Sequence, residues 1–328
     1  MRQPRIKLAV EEGEAVYHCM SRTVNGERLF DPVALEVLRK QFRQVADYCG
    51  VQIITYTILS NHFHVLVRVP RRILIPDAEL LRRYAVLYPK PTRYQSARLA
   101  VIREQLATDG PAALVWRRRQ LTLMGDLSQF MKLVKQRFTI WFNKSHGRYG
   151  TLWAERFKSV LVEAQLRVLR TVAAYIDLNC VRAGLVRDPK EYRFCGYAEA
   201  IAGQSAARLG LMSFSDRPSW PETQAAYRQA LFGAGAGARE RARVIPVEEL
   251  QKVLRTGGQL PLAVVLRCRV RYFTDGAVLG GTAFVALHLA AYSQRTKRRQ
   301  GAKPRSLPQL APWGELATMR SPRHGGFG

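Results

Sequence analysis

Hydrophobic and polar positions change period several times along the first 200 residues. "EAVYHCMSRT" (Glu14 to Thr23) has the composition of a strand, and "NGERLF" after it is a turn. Asp31 and Pro32 then make an N-cap and a first helical position. Leu35, Leu38, Phe42, Val45 and Cys49 follow at helical spacing, and Gly50 ends the run. "VQIITYTIL" (Val51 to Leu59) and "HFHVLVRV" (His62 to Val69) are β-rich runs joined by Ser60-Asn61, which predicts a hairpin. Pro70 closes it. Residues 71–125 are a basic, irregular connection with helical pieces. Asp126 caps a second amphipathic helix with the stripe Phe130, Met131, Val134, Phe138, Trp141 and Phe142, ended by His146-Gly147. "RFKSVLVE" (Arg156 to Glu163) predicts a fourth strand, and a third helix spans about Ala164 to Arg182.

The order strand, helix, strand, strand, helix, strand is the split βαβ pattern. It predicts an α+β, ferredoxin-like antiparallel sheet with two helices on one face and an extra helix beyond them. After Tyr197 the character changes. Residues 1–205 form one domain on this reading. Gly/Ser/Pro content and "GAGAGARERAR" make 206–245 a flexible linker, 246–293 a small helical accessory unit, and 294–328 a basic tail. The C-terminal extension is thus expected to be helical or disordered.

Charge narrows the partner. With 52 Lys+Arg against 25 Asp+Glu, the net charge is +27, which repels itself unless a polyanion is present. Nucleic acid fits better than a membrane surface, for which no long amphipathic basic helix stands out. No run approaches the ~20 apolar residues of a membrane span. Five scattered cysteines (Cys19, Cys49, Cys180, Cys195, Cys268) without a CxxC suit reduced core residues. The first 18 residues hold no apolar run of signal-peptide length, so a cytoplasmic, nucleoid-associated protein is expected.

Two features carry candidate chemistry. His62 and His64 are two apart on a predicted strand and share a face. Two imidazoles side by side begin many divalent-metal sites, and they also occur as a pair on a half-buried sheet. Neither His18 nor His146 has such a neighbour in the chain, and both are read as structural or solvent-facing. On the third helix, Tyr175 and Asn179 lie four apart, one above the other. Asn is a poor mid-helix residue, so either a hydrogen-bonded Tyr/Asn pair or a functional role favours it there. A phenol attacks a phosphodiester well only where a metal polarises the phosphate, and two neutral imidazoles with an amide oxygen suit Mg²⁺ or Mn²⁺.

These parts, in this order, resemble the single-tyrosine HUH transposases, in particular the REP-associated tyrosine transposases. The stretches that carry the likeness are "YHCMSRTVNGERLF" (Tyr17 to Phe30), "LSNHFHVLV", "FNKSHGRYGTLWAERFKS" (Phe142 to Ser159) and "YIDLNCVRAGLV" (Tyr175 to Val186), together spanning residues 15–200. The resemblance implies a nuclease domain that uses Mg²⁺ or Mn²⁺ on single-stranded, hairpin-forming DNA. It implies Tyr175 as nucleophile, forming a 5′-phosphotyrosine, and His62, His64 and Asn179 as metal ligands. Cys180 stands where members of the family commonly have proline.

Basic and aromatic residues mix in "GRYGTLWAERFKS", so Arg148, Tyr149, Trp153, Arg156 and Lys158 are candidate single-strand contacts, with packing of the Trp as the other reading. Arg117, Arg118, Arg119 and the basic tail are candidate phosphate contacts. The tyrosine acts within its own chain or on the site of a homodimer partner. No P-loop is present, so no nucleotide cofactor is expected. Two alternatives stay open: a domesticated DNA-binding regulator without cleavage, and another HUH nickase of the replication-initiator or relaxase type.

Overall fold

Strand β1 (Ala15–Arg22) runs through the middle of the sheet, with β3 (His62–Val69) on one side and β4 (Lys158–Val162) on the other, both antiparallel to it. β2 (Gln52–Ile58) pairs antiparallel with β3 across the Ser60-Asn61 turn, where the Leu59 amide donates to the His62 carbonyl at 2.8 Å. The order β2-β3-β1-β4 is the split βαβ arrangement. The structure, a computed structural model, describes residues 6–8, 13–71, 73–90, 94, 97–232, 272–296, 304–306 and 316–320.

One face of the sheet carries α1 (Pro32–Cys49). Asp31 caps it, accepting from the Ala34 amide at 2.7 Å, and Gly50 ends it at φ 64°, a conformation that suits glycine. In the connection the chain forms α2 (Asp77–Leu87), α3 (Leu99–Thr108) and α4 (Pro111–Leu121), so most of the expected irregular segment is helical. Helix α5 (Leu127–Ser145) joins α1 on the sheet, capped by Asp126 through the Gln129 amide at 2.8 Å. Phe42, Phe63, Phe130, Val134 and Phe138 meet in this core.

The opposite face is covered as well. The strand period sends Val16 and Met20 of β1, Leu66 of β3 and Val160 and Val162 of β4 to that side. Against them lies α6 (Leu166–Asp177), through Leu169, Val172, Ala173 and Ile176. The expected single helix to Arg182 is interrupted at Leu178 (ψ −2°), and α7 (Asn179–Arg182) continues as one turn. β2 bulges at Ile54, so Thr55 also reaches this side and donates to Asp177 Oδ1 at 2.7 Å. Asp177 further accepts from Cys195 Sγ at 3.2 Å and from the Tyr227 hydroxyl at 2.5 Å. Burial nevertheless raises its carboxyl to about 6.

Three expectations about the C-terminal half need correction. First, the chain continues through α8 (Gly196–Ile201), α9 (Ser205–Met212) and α10 (Trp220–Phe232), and Leu211, Phe214, Tyr227 and Leu231 are buried in the second core. Residues 206–232 are therefore packed helix and loop, whereas 233–245 lie outside the described residues. Apolar anchors spaced along the segment fix them, and only the run from Gly233 has a linker's glycine content. Second, the described part of 246–293 extends the sheet. A helical turn (Tyr272–Asp275) leads into β5 (Gly276–Gly281), which pairs parallel with β4 and is followed by α11 (Thr282–Thr296). Val278 enters one core and Leu279 the other, which is what seats so glycine-rich a strand. Third, the expected basic tail supplies β6 (Arg305–Ser306) and β7 (Leu316–Arg320), giving the order β2-β3-β1-β4-β5-β7-β6. Among the described residues no helix is long and apolar enough to cross a membrane, and the four described cysteines are free and buried.

Candidate metal and nucleophile site

The same alternation that buries Val16 and Leu66 under α6 turns His18, His62 and His64 to that side. His62 and His64 stand edge to face, ring centroids 5.4 Å apart. His18, on the neighbouring strand, brings Nε2 to 2.9 Å from Nδ1 of His64, and its Nδ1 lies 3.0 Å from the carbonyl oxygen of Phe273. His18 is therefore part of the cluster, correcting its reading as an unpaired residue. Strand register creates the pairing, because β1 opposes β3 with Met20 across from His64. His146 is exposed to solvent and stacks on Phe142 at 4.0 Å, as its reading expected.

Helix α6 lies across these histidines. The Tyr175 ring is edge-on to both His64 and His18, with centroids 6.1 Å from each. Phe273 packs on it at 4.5 Å, and the Arg182 guanidinium sits 4.1 Å from its centroid while donating to the Tyr175 carbonyl at 2.8 Å. Asn179, one turn on, spends its amide nitrogen on the Tyr175 and Ile176 carbonyls at 3.2 and 3.1 Å, which leaves Oδ1 as its acceptor atom. Arg182 and Phe273 were missed in the sequence. Arg182 had a detectable signal, standing two helical turns past Tyr175. Phe273 had none, since it reaches the site only through β5.

Electrostatics favour neutral rings. Burial lowers His18 to about 4. Burial first, then the neighbouring His18 and His62, push His64 well below its ordinary value, with Arg182 adding to both. Neutral imidazoles and an amide oxygen are the donors a divalent cation such as Mn²⁺ or Mg²⁺ accepts. Among the described residues no three His, Cys, Asp or Glu side chains form a metal-holding group; Asn179 is a donor of another type. In donor type, the two imidazoles and the amide oxygen suit such an ion.

The other expected site residues are dispersed. Tyr149 is 94% exposed, Arg156 is exposed, and Arg148 is half-buried, its guanidinium 6.0 Å from the Phe142 ring centroid. Lys158 is half-buried and pairs with Glu155 at 3.3 Å. Trp153 is no stacking platform: it is buried among Phe30, Phe63 and Phe138, with Nε1 donating to Thr139 at 2.9 Å. Its amphipathic ring fits the core and satisfies its one donor there. Arg118 and Arg119 are exposed, but Arg117 is matched by Asp77 at 2.6 Å and Asp109 at 2.5 Å. Tyr56 and Tyr192 are not placed as nucleophiles. Tyr56 is fully buried and faces α1, and the Tyr192 hydroxyl donates to the Ile58 carbonyl at 2.8 Å.

Compared with models of protein families and with curated proteins, the chain matches none. Among solved structures it is similar to a REP-associated tyrosine transposase bound to a REP hairpin. That superposition has a TM-score of 0.40 and 14% identity, and covers 62% of this chain and 87% of that one. A likeness so distant says nothing about individual side chains, and the functional reading rests on the site geometry.

Proposed function

We propose that this chain is a metal-dependent enzyme that cleaves and rejoins single-stranded DNA through Tyr175, as the family it resembles does in moving repetitive palindromic elements. The observation that carries the reading is the crossing of α6 over the sheet, which brings Tyr175 to His64 within one chain. In the reaction, Tyr175 Oη attacks the scissile phosphorus. The Oη–P bond forms as the P–O3′ bond breaks, and the phenolic proton is balanced by protonation of the departing 3′ oxygen. The 5′ phosphate stays on the tyrosine. Attack by another 3′-hydroxyl reverses the step and needs no ATP, because one phosphodiester has replaced another. His62, His64 and Asn179 would hold a Mg²⁺ or Mn²⁺ ion, which when bound supplies polarisation of the phosphate oxygens. Arg182 adds a fixed positive charge beside the nucleophile. The surplus of +27 attracts the strand.

One observation favours a second reading. Tyr175 is only 5% exposed, with Phe273 against its ring. A chain that keeps this arrangement binds DNA and leaves it uncut, as a regulator would. Incubation with end-labelled, hairpin-bearing single-stranded DNA and Mn²⁺ or Mg²⁺ separates the two. The nuclease gives a covalent protein–DNA adduct that disappears in Tyr175→Phe and with EDTA. Binding without an adduct under either metal would establish the regulator.

A further inference from the structure

A histidine that binds a metal through one nitrogen needs its proton on the other, and whatever holds that proton decides which nitrogen is offered. Here the holders can be read off. The Phe273 carbonyl can only accept, so the 3.0 Å contact places a proton on Nδ1 of His18. His18 is buried, and among the described residues its two ring nitrogens meet only the Phe273 carbonyl and the His64 ring, so no carboxylate is there to offset a second proton. Its Nε2 is then an acceptor. The 2.9 Å contact requires the proton between the two rings to come from Nδ1 of His64. No hydrogen bond engages Nε2 of His64 among the described residues.

His62 reaches the same state by a separate route. Asn61 donates Nδ2 to the Gly26 carbonyl at 2.8 Å, which turns its Oδ1 toward Nδ1 of His62 at 2.6 Å. That oxygen can only accept, so His62 also carries its proton on Nδ1. Two unrelated backbone carbonyls, each through one intermediary side chain, set adjacent rings to the same tautomer. An ordinary pair of sheet histidines has no need of such agreement.

We propose that His18 is a positioning residue: together with the Phe273 carbonyl it locks His64 as the Nδ1–H tautomer and so presents Nε2 to the site. The purpose of this lock rests on the metal reading above, but its existence does not. It also assigns a task to the C-terminal strands, which carry Phe273 to β1.

The test is the imidazole nitrogen spectrum of the full chain, labelled with ¹⁵N-histidine, without metal, read by two-bond ¹H–¹⁵N correlation. Wild type is expected to show the Nδ1–H pattern for His18, His62 and His64. In His18→Leu, His64 moves to the Nε2–H form or to a mixture, while His62 keeps its pattern. His18→Gln, whose Oε1 can accept from Nδ1, restores the Nδ1–H form. Mn²⁺ affinity, by calorimetry, falls roughly tenfold to a hundredfold in His18→Leu and recovers in His18→Gln. An Nε2–H pattern for His64 in wild type overturns the proposal before any variant is made, and so does an unchanged His64 in a folded His18→Leu. If the wild-type tautomers are as stated and Mn²⁺ does not bind, the lock stands and the metal-nuclease reading falls.

Discussion

The guanidinium of Arg182 lies 4.1 Å from the centroid of the Tyr175 ring and donates to the backbone carbonyl of that same residue. A break in the helix at Leu178 separates the two, and the contact spans it. The planar fork can do both jobs at once, which a lysine cannot. Arg182→Ala is expected to slow adduct formation about a hundredfold in single-turnover experiments, with Arg182→Lys in between. An unchanged rate in Arg182→Ala would remove Arg182 from the reaction.

Single-stranded DNA binding should weaken steeply with salt. Replacing Arg118 or Arg119 by Ala should each reduce the slope of log K against log salt by about 0.7, the value for one phosphate on a single strand. Arg117→Ala should leave it nearly unchanged, because that charge is already matched by Asp77 and Asp109. Tyr149→Ala should cost about 1–3 kcal/mol of binding if the exposed ring stacks on a base. Fluorescence anisotropy over a salt series measures all four.

Tyr227→Phe removes the hydroxyl that donates to Asp177 Oδ2. Asp177 is fully buried, so the oxygen left behind finds no water. Unfolding in urea should show a loss of about 1–3 kcal/mol. A change within experimental error would mean that the remaining donors, Thr55, Cys195 and the Tyr197 backbone amide, satisfy the carboxyl without Tyr227.

Gly210→Ala sets two effects against each other. Alanine favours a helix by about 1 kcal/mol over glycine. Its Cβ, however, would stand 2.5 Å from the Ile54 carbonyl oxygen and 2.6 Å from that of Ile53, both backbone atoms in the β2 bulge. Overpacking of that kind costs about 1–3 kcal/mol, so net destabilisation is expected in thermal unfolding.

Acid should reveal Glu36. Hydrogen bonds from Arg39, and more weakly from Arg193, lower its carboxyl from 4.5 to about 2 against a smaller opposing effect of burial. A depressed carboxylate stabilises the fold fully above its unfolded value and loses that contribution as pH falls from about 4.5 to about 2. The urea midpoint of wild type should therefore fall more steeply across that window than the midpoint of Glu36→Gln. Parallel curves would show that the pair contributes nothing.

Much of this was legible in the chain. The split βαβ order, the caps at Asp31 and Asp126, the stop at Gly50 and the shared face of His62 and His64 follow from local periodicity. His18 was not legible, because its partner lies 46 residues away and only the β1–β3 register joins them. The segment 206–232 holds one glycine and three serines, and it was read as linker because it adjoins the glycine-rich run from Gly233; large side chains such as Tyr227 and Leu231 hold it in the second core. "GAVLGG" was invisible as a strand because its stabilisation comes from the edge of β4 and from Glu163, which accepts the Gly281 amide at 2.6 Å, rather than from its own propensity.

That added strand has a consequence for association. In a four-stranded sheet of this order β4 would be a rim, with a row of open amides and carbonyls that another chain could extend. β5 occupies it, and the outer strand of the described sheet becomes β6, two residues long. At the opposite rim, the Ile58 amide is taken by the Phe194 carbonyl and Thr57 bridges to Cys195. Part of the backbone on each rim is thereby occupied, which is one way a β-containing protein resists edge-to-edge aggregation.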